Sequence, residues 1–132
     1  MKALLDTHIL LWWLGPATRL SRAQWEVIEQ AGPEEPLWVS EITLWEIATL
    51  HSLGRIELRL GLRDWLEKAT SHPLVRRFGI SPAVAAEVAA LPDTFHREPA
   101  DRILVATARI LGATLLTQDR RIIEAAVVPT LA

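Results

Sequence analysis

The sequence contains no cysteine, which excludes disulfides and thiolate-ligated metal sites and fits a reducing compartment. No apolar run reaches the roughly 18 residues that a membrane-spanning helix needs. Only Lys2 precedes an apolar patch that Asp6 interrupts, so no secretory signal is expected and a cytoplasmic location is. There is no Gly-rich phosphate loop of the P-loop kind, and nucleoside triphosphate binding is not suggested. Excess positive charge is also lacking: net charge is −2 and the pI is near 6.1. The chain is therefore not a generally basic nucleic-acid binder, and any such contact must rest on a local patch. Lysine is scarce, with twelve of the fourteen cations arginine, a bias that suits phosphate forks but is equally produced by codon usage. His8, His51, His72 and His96 show no metal-ligand spacing on an expected helix and read as surface or loop residues. No internal repeat or low-complexity tract is present.

What is present is 132 residues, half of them apolar. That is enough for one domain spanning 1–132 with a core that needs no staples. Lys2 to Leu5 reads as a buried strand ending at Asp6, followed at once by a helix over Thr7 to Leu14 and a Gly15-Pro16 stop. Leu20, Ala23, Val27 and Ala31 have helical spacing behind a Ser21 cap. Leu37 to Val39 is a second strand, and Ser40 caps a helix from Glu41 to about Leu53, closed by Gly54. Residues 55–61 are compatible with a loop or a brief edge strand. Leu62 to Thr70 is amphipathic, and Val75 to Ile80 is a strand that Arg76 and Arg77 place at the periphery. Ser81-Pro82 opens a helix to about Ala90, and 92–99 is a loop. A helix from about Arg102 to Leu111, a Gly112 stop and a strand over Ala113 to Thr117 complete the pattern. Strands alternating with helices predict an α/β fold with a mostly parallel sheet covered on both faces. The tryptophans fall mainly on apolar faces and read as core or as a dimer surface.

In parallel sheets ligands collect at the carboxyl ends of the strands. Asp6 directly follows the first strand and Asp119 lies just past the last. Ten or so helical residues rise about 16 Å, close to the span of five strand residues. The start of the Arg102 helix and the end of the next strand therefore share one edge, which brings Asp101 there too. Glu46 lies on a helix that is apolar nearly all round, between Ile42 and Leu50 in projection, and is expected to point inward. A lone inward carboxylate is costly unless protonated, paired or bound to a cation.

Each acid has a simpler reading when taken alone. Asp6, Asp101 and Asp119 all suit helix N-caps, and Glu46 suits an ion pair with an arginine such as Arg102. Four carboxylates at one edge, however, repel one another unless a cation neutralises them. Oxygen-only donors favour Mg²⁺ or Mn²⁺ over zinc. Acid-held magnesium serves phosphoryl transfer, and a phosphodiester nuclease is the best-fitting class.

The segments LLDTH at 4–8, VSEITLWEIA at 39–48, HREPADRILVATA at 96–108 and LLTQD at 115–119 resemble, in order, the four motif blocks of PIN-domain nucleases. The likeness is to the VapC-type toxins of type II toxin–antitoxin pairs and covers nearly the whole chain. It implies a three-layer α/β/α fold and a Mg²⁺- or Mn²⁺-dependent endoribonuclease acting on RNA. It also implies a homodimer and a cognate antitoxin protein that blocks the site. Asp6, Glu46, Asp101 and Asp119 match the acids that hold metal and activate water in that family. Thr117 matches a supporting hydroxyl, with Thr7 and Arg102 as further candidates for site support or substrate binding. The chain departs from the family pattern at Glu98 and Ala100, where relatives often read Asp and Phe, and at Leu50, where many carry lysine. These departures bear on substrate contacts, for which Arg55, Arg102, Arg120 and Arg121 are the available cations. The alternatives are a non-catalytic PIN-like binding module and another acid-metal phosphohydrolase. Against a phosphoaspartate phosphatase, His8 stands where that chemistry uses a second aspartate.

Overall fold

Along the first strand, β1 (Ala3–Leu5), every side chain is buried. Ala3 and Leu5 join one apolar cluster and Leu4 joins another, as alternation in a strand covered on both faces requires. The computed structural model describes residues 1–15 and 19–132. Its elements run α1 (Thr7–Leu14), α2 (Arg22–Glu29), β2 (Leu37–Ser40), α3 (Glu41–Ser52), α4 (Leu62–Ser71) and β3 (Val75–Phe78). They continue with α5 (Pro82–Ala90), α6 (Pro99–Leu111), β4 (Thr114–Leu116), α7 (Arg120–Ala125) and β5 (Thr130–Leu131). The five strands lie in the order β3-β2-β1-β4-β5, and all pairings are parallel. β3 is an edge strand, as Arg76 and Arg77 predict.

Two apolar layers cover the sheet. On one face Leu4 and Leu115 pack with Leu104, Val105 and Ala108 of α6 and with Ile122 of α7. On the other, Leu5, Val39 and Leu116 pack with Ile9 and Leu10 of α1, Ile28 of α2 and Ile47 of α3. The architecture is the expected three-layer α/β/α sandwich. Ser21, Ser40 and Ser81 each cap a helix through the side chain. Gly112 closes α6 at φ 67°, a left-handed position that glycine occupies without steric cost.

Several expectations need correction. Helix α6 starts at Pro99 rather than Arg102, so Asp101 lies inside the first turn and Glu98 holds the cap position. Proline at the first helical position costs nothing, because that N–H has no partner in the helix. Helix α3 is not buried all round: Trp45 is 58% exposed and Glu46 is half-buried. Of the two alternatives open for residues 55–61, the structure shows the loop. Helix α7 and strand β5 were not expected, because neither is long enough to show a period. The Gly15-Pro16 stop is partly outside the described residues: Gly15 caps α1, and Pro16 is not described.

Candidate metal centre

The parallel ladder carries Asp6 past the end of β1, where its N–H donates to the Leu116 carbonyl of β4 at 3.0 Å. Its carboxylate then works as the α1 cap, accepting the Thr7 N–H at Oδ1 (2.7 Å). The other oxygen, Oδ2, accepts the Thr117 hydroxyl at 2.6 Å. Thr117, fully buried just past β4, also accepts the Asp119 N–H at 3.0 Å. One hydroxyl thus links the first acid to the last. Asp119 caps α7 by accepting the Arg121 N–H at 2.9 Å. Both strand-end aspartates are caps as well as neighbours, so the simpler reading and the convergent one hold together.

Glu46 reaches the same edge from α3. Its Oε1 accepts the hydroxyl of Thr7, which is 1% exposed and lies 3.4 Å from the Thr43 hydroxyl. An ion pair between Glu46 and Arg102 does not form. Arg102 is buried and donates to the carbonyls of Phe95 (3.1 Å), His96 (3.3 Å) and Val88 (3.3 Å). It is not available to substrate, which corrects its candidacy as a phosphate contact.

Asp101 faces this group from the head of α6, and it does not arrive alone. His96 Nε2 lies 2.6 Å from Asp101 Oδ2. The Arg121 guanidinium lies 2.8 Å from Glu98 and 3.8 Å from Asp101. His96 does lie in a loop, as expected, but its contact with Asp101 was not foreseen. The one local signal in the sequence is Pro99, which holds Glu98 extended before the helix.

The electrostatics reflect crowding. Burial raises the Asp6 carboxyl above its usual range, against the pull of the Thr117 hydroxyl and the Thr7 N–H, and the Glu46 charge pushes it further up. Burial likewise pushes Asp101 up to about 7; the His96 contact opposes the rise, while Glu98 and the Asp6 charge add to it. Glu98 is held below its usual range, first by its hydrogen bond with Asp101 and then by Arg121. Among the described residues no lysine or arginine makes an ion pair with Asp6, Glu46 or Asp119.

A cleft of about 610 Å³ opens beside this edge, lined by Leu11, Trp12, Leu58 and Trp65 with His8 at its wall. His8 sits two residues from Asp6 on the same helix. No helix among the described residues is long and apolar enough to cross a membrane.

Comparison with known proteins agrees with this geometry. Residues 3–128 match the PIN domain model. Ribonuclease VapC22 of Mycobacterium tuberculosis (strain ATCC 25618 / H37Rv) is 42% identical over 119 residues, covering 90% of this chain and 88% of that protein. Among solved structures, VapBC-1 from nontypeable Haemophilus influenzae superposes with a TM-score of 0.73 at 18% identity, covering 99% of this chain and 97% of that one. A toxin–antitoxin complex from Klebsiella pneumoniae gives 0.64 at 21% identity, covering 99% and 97%. The chain belongs to the PIN-domain family.

Proposed function

We propose that the protein is a Mg²⁺- or Mn²⁺-dependent endoribonuclease of the cytoplasm, the toxin of a toxin–antitoxin pair, with Asp6, Glu46, Asp101 and Asp119 as its metal-binding and catalytic acids. The observation that carries this reading is the mutual crowding of carboxylates: Asp6 feels Glu46 and Asp101 feels Asp6, with no lysine or arginine paired to Asp6 among the described residues. An all-oxygen set of this kind suits a hard divalent cation. When bound, such a cation polarises the scissile phosphate and lowers the pKa of a coordinated water.

The chain's own contribution is orientation. Thr117 fixes one oxygen of Asp6 and the backbone N–H of Thr7 fixes the other, while the Thr7 hydroxyl holds Glu46. Asp6 and Glu46 are thereby preset for a cation without ordering at the moment of binding. Arg120, exposed at the head of α7 beside Asp119, makes no ion pair among the described residues and is a cation available to an RNA phosphate at this edge.

The ribonuclease relative and the toxin–antitoxin structure support the RNA substrate and the protein inhibitor. The apolar cleft beside α1 suits an inhibitory segment, because a chain lying along α1 is led to Asp6. Exposed Trp45, Leu53 and Ile80 supply apolar surface for a homodimer.

Incubating a tRNA and rRNA pool with purified, antitoxin-free protein tests the activity, with Mg²⁺, Mn²⁺ or EDTA and with Asp101→Ala as control. Discrete cuts that need metal and vanish in the variant are expected. Intact RNA under both metals, from folded protein, would assign the chain to the non-catalytic binding class instead.

A further inference from the structure

We infer that His96 is a positioning residue for the cation centre: it orients the Asp101 carboxylate rather than binding the ion. This rests on the metal-centre reading above and adds a residue to it. The ring is placed by its surroundings on three sides. Phe95, 2% exposed in the core, holds its ring centroid 4.4 Å from that of His96. The buried Arg102 guanidinium donates to the carbonyls of both residues, fixing the backbone on which the ring is carried. The edge of the imidazole then meets Asp101 Oδ2 at 2.6 Å. With Nε2 protonated, the ring donates to Oδ2 of Asp101 and fixes that side of the carboxylate, beside the hydrogen bond that Asp101 also shares with Glu98. A carboxylate held in this way keeps its rotamer when a cation arrives or leaves.

A second cation seat formed by His96, Glu98 and Asp101 is the competing account, because one ligand atom from each lies within 4.8 Å of the others. Two features argue against it. The His96 nitrogen that points inward is already bonded to Asp101, and Glu98 is engaged by Arg121 at 2.8 Å. The Arg121 guanidinium thereby already supplies positive charge to that corner. Outer partners that orient a ligand carboxylate affect affinity strongly, by about 10- to 100-fold when removed.

The test is Mn²⁺ binding to the intact chain, measured by calorimetry for the unaltered protein, His96→Ala and His96→Gln, with the unfolding midpoint of each recorded in EDTA. Glutamine returns an N–H near the position of Nε2 without offering an imidazole. The expected result is about 10- to 100-fold weaker Mn²⁺ binding in His96→Ala, recovery to within severalfold in His96→Gln, and metal-free midpoints that stay close together. Electron spin-echo spectra of the Mn²⁺ complex should show no directly bound imidazole nitrogen. Binding in His96→Ala within twofold of the unaltered protein overturns the inference while leaving the metal centre standing. Imidazole coupling to Mn²⁺ overturns it in favour of a ligand role. Loss of affinity that glutamine does not restore overturns it as well. If the unaltered protein binds no Mn²⁺, the metal-centre reading fails and this inference with it.

Discussion

Neutral groups orient the acids at the strand ends, whereas charged groups orient the acids at the head of α6. Asp6 is held by a threonine hydroxyl and a backbone N–H, and Asp119 caps α7 and donates its own N–H to that same threonine. Their positions follow from the parallel ladder, since the Asp6 N–H continues the β1–β4 hydrogen bonding. Asp101 instead sits in the first turn of α6, and its neighbours are His96 and Glu98 of the preceding loop and Arg121 of α7. The first half is built by the sheet and should respond little to salt, its response to pH coming through the raised Asp6 carboxyl. The second is built by side chains whose charges respond to both.

Acidity reaches both halves through their raised aspartates. A carboxyl raised to about 7 in the folded chain keeps its proton where the unfolded chain has lost it. Its contribution to stability is complete below about pH 4 and is lost as pH climbs to 7, at no more than about 1.4 kcal/mol per pH unit. Asp6, also raised, acts in the same direction. Glu98 acts oppositely, because its lowered pKa gives stability that disappears only on acidification. Between pH 5 and 7.5 the metal-free protein should therefore become less stable as pH rises. Denaturant titrations of unaltered protein and Asp101→Asn would measure this: the slope should flatten in the variant, and saturating Mg²⁺ should flatten it too. An unchanged slope in Asp101→Asn would show that Asp101 does not carry the effect.

Thr117→Val tests the other half. Valine keeps the shape but removes the hydroxyl, so Asp6 Oδ2 loses a donor and the Asp119 N–H loses an acceptor. The expected cost is about 1–3 kcal/mol, seen as a fall of roughly 4 °C per kcal/mol in the unfolding midpoint. Thr7→Val should cost less, because Glu46 is only half-buried and water can replace the lost donor. The Thr117 loss should grow with pH only as far as Asp6 ionises, because that hydroxyl holds the Asp6 pKa down. If Thr117→Val proves as pH-sensitive as changes around Asp101, the two halves are not independent.

How much of this was legible in the sequence follows the same division. The strand-end acids could be read from a short apolar run that stops at Asp6 and from LLTQD, because strand direction and the parallel rule put both on one edge. Thr7 to Leu14 is helical as expected, and Gly112 closes α6 as expected. Glu46 was expected inside a buried helix. It reaches the edge from a half-exposed one, since Trp45 and Leu53 are apolar residues that face solvent. His96 could not be read from periodicity, because its position depends on how a loop folds over a helix start. Arg102 looked like a phosphate ligand on charge alone; only its three carbonyl partners reveal a clamp on that loop.

The smallest expected effect concerns the most conspicuous charge pair. Arg121 and Glu98 are 59% and 57% exposed, so water competes for both and salt screens them. Arg121→Ala should change stability by less than about 0.5 kcal/mol, within the range of exposed ion pairs. Its effect should instead be local: Glu98 loses a neutralising partner, and the negative charge beside Asp101 increases. The same substitution should therefore tighten Mn²⁺ binding slightly, by about twofold or less, while leaving the unfolding midpoint in EDTA unchanged. Arg120→Ala provides the contrast, because among the described residues Arg120 is in no ion pair that its loss would release. It should leave Mn²⁺ binding alone but lower the salt dependence of RNA binding by about one unit of slope. Fluorescence anisotropy with labelled RNA, on metal-free protein across a salt series, distinguishes the two arginines. If Arg121→Ala lowers the slope and Arg120→Ala does not, the charged half of the centre contacts substrate directly.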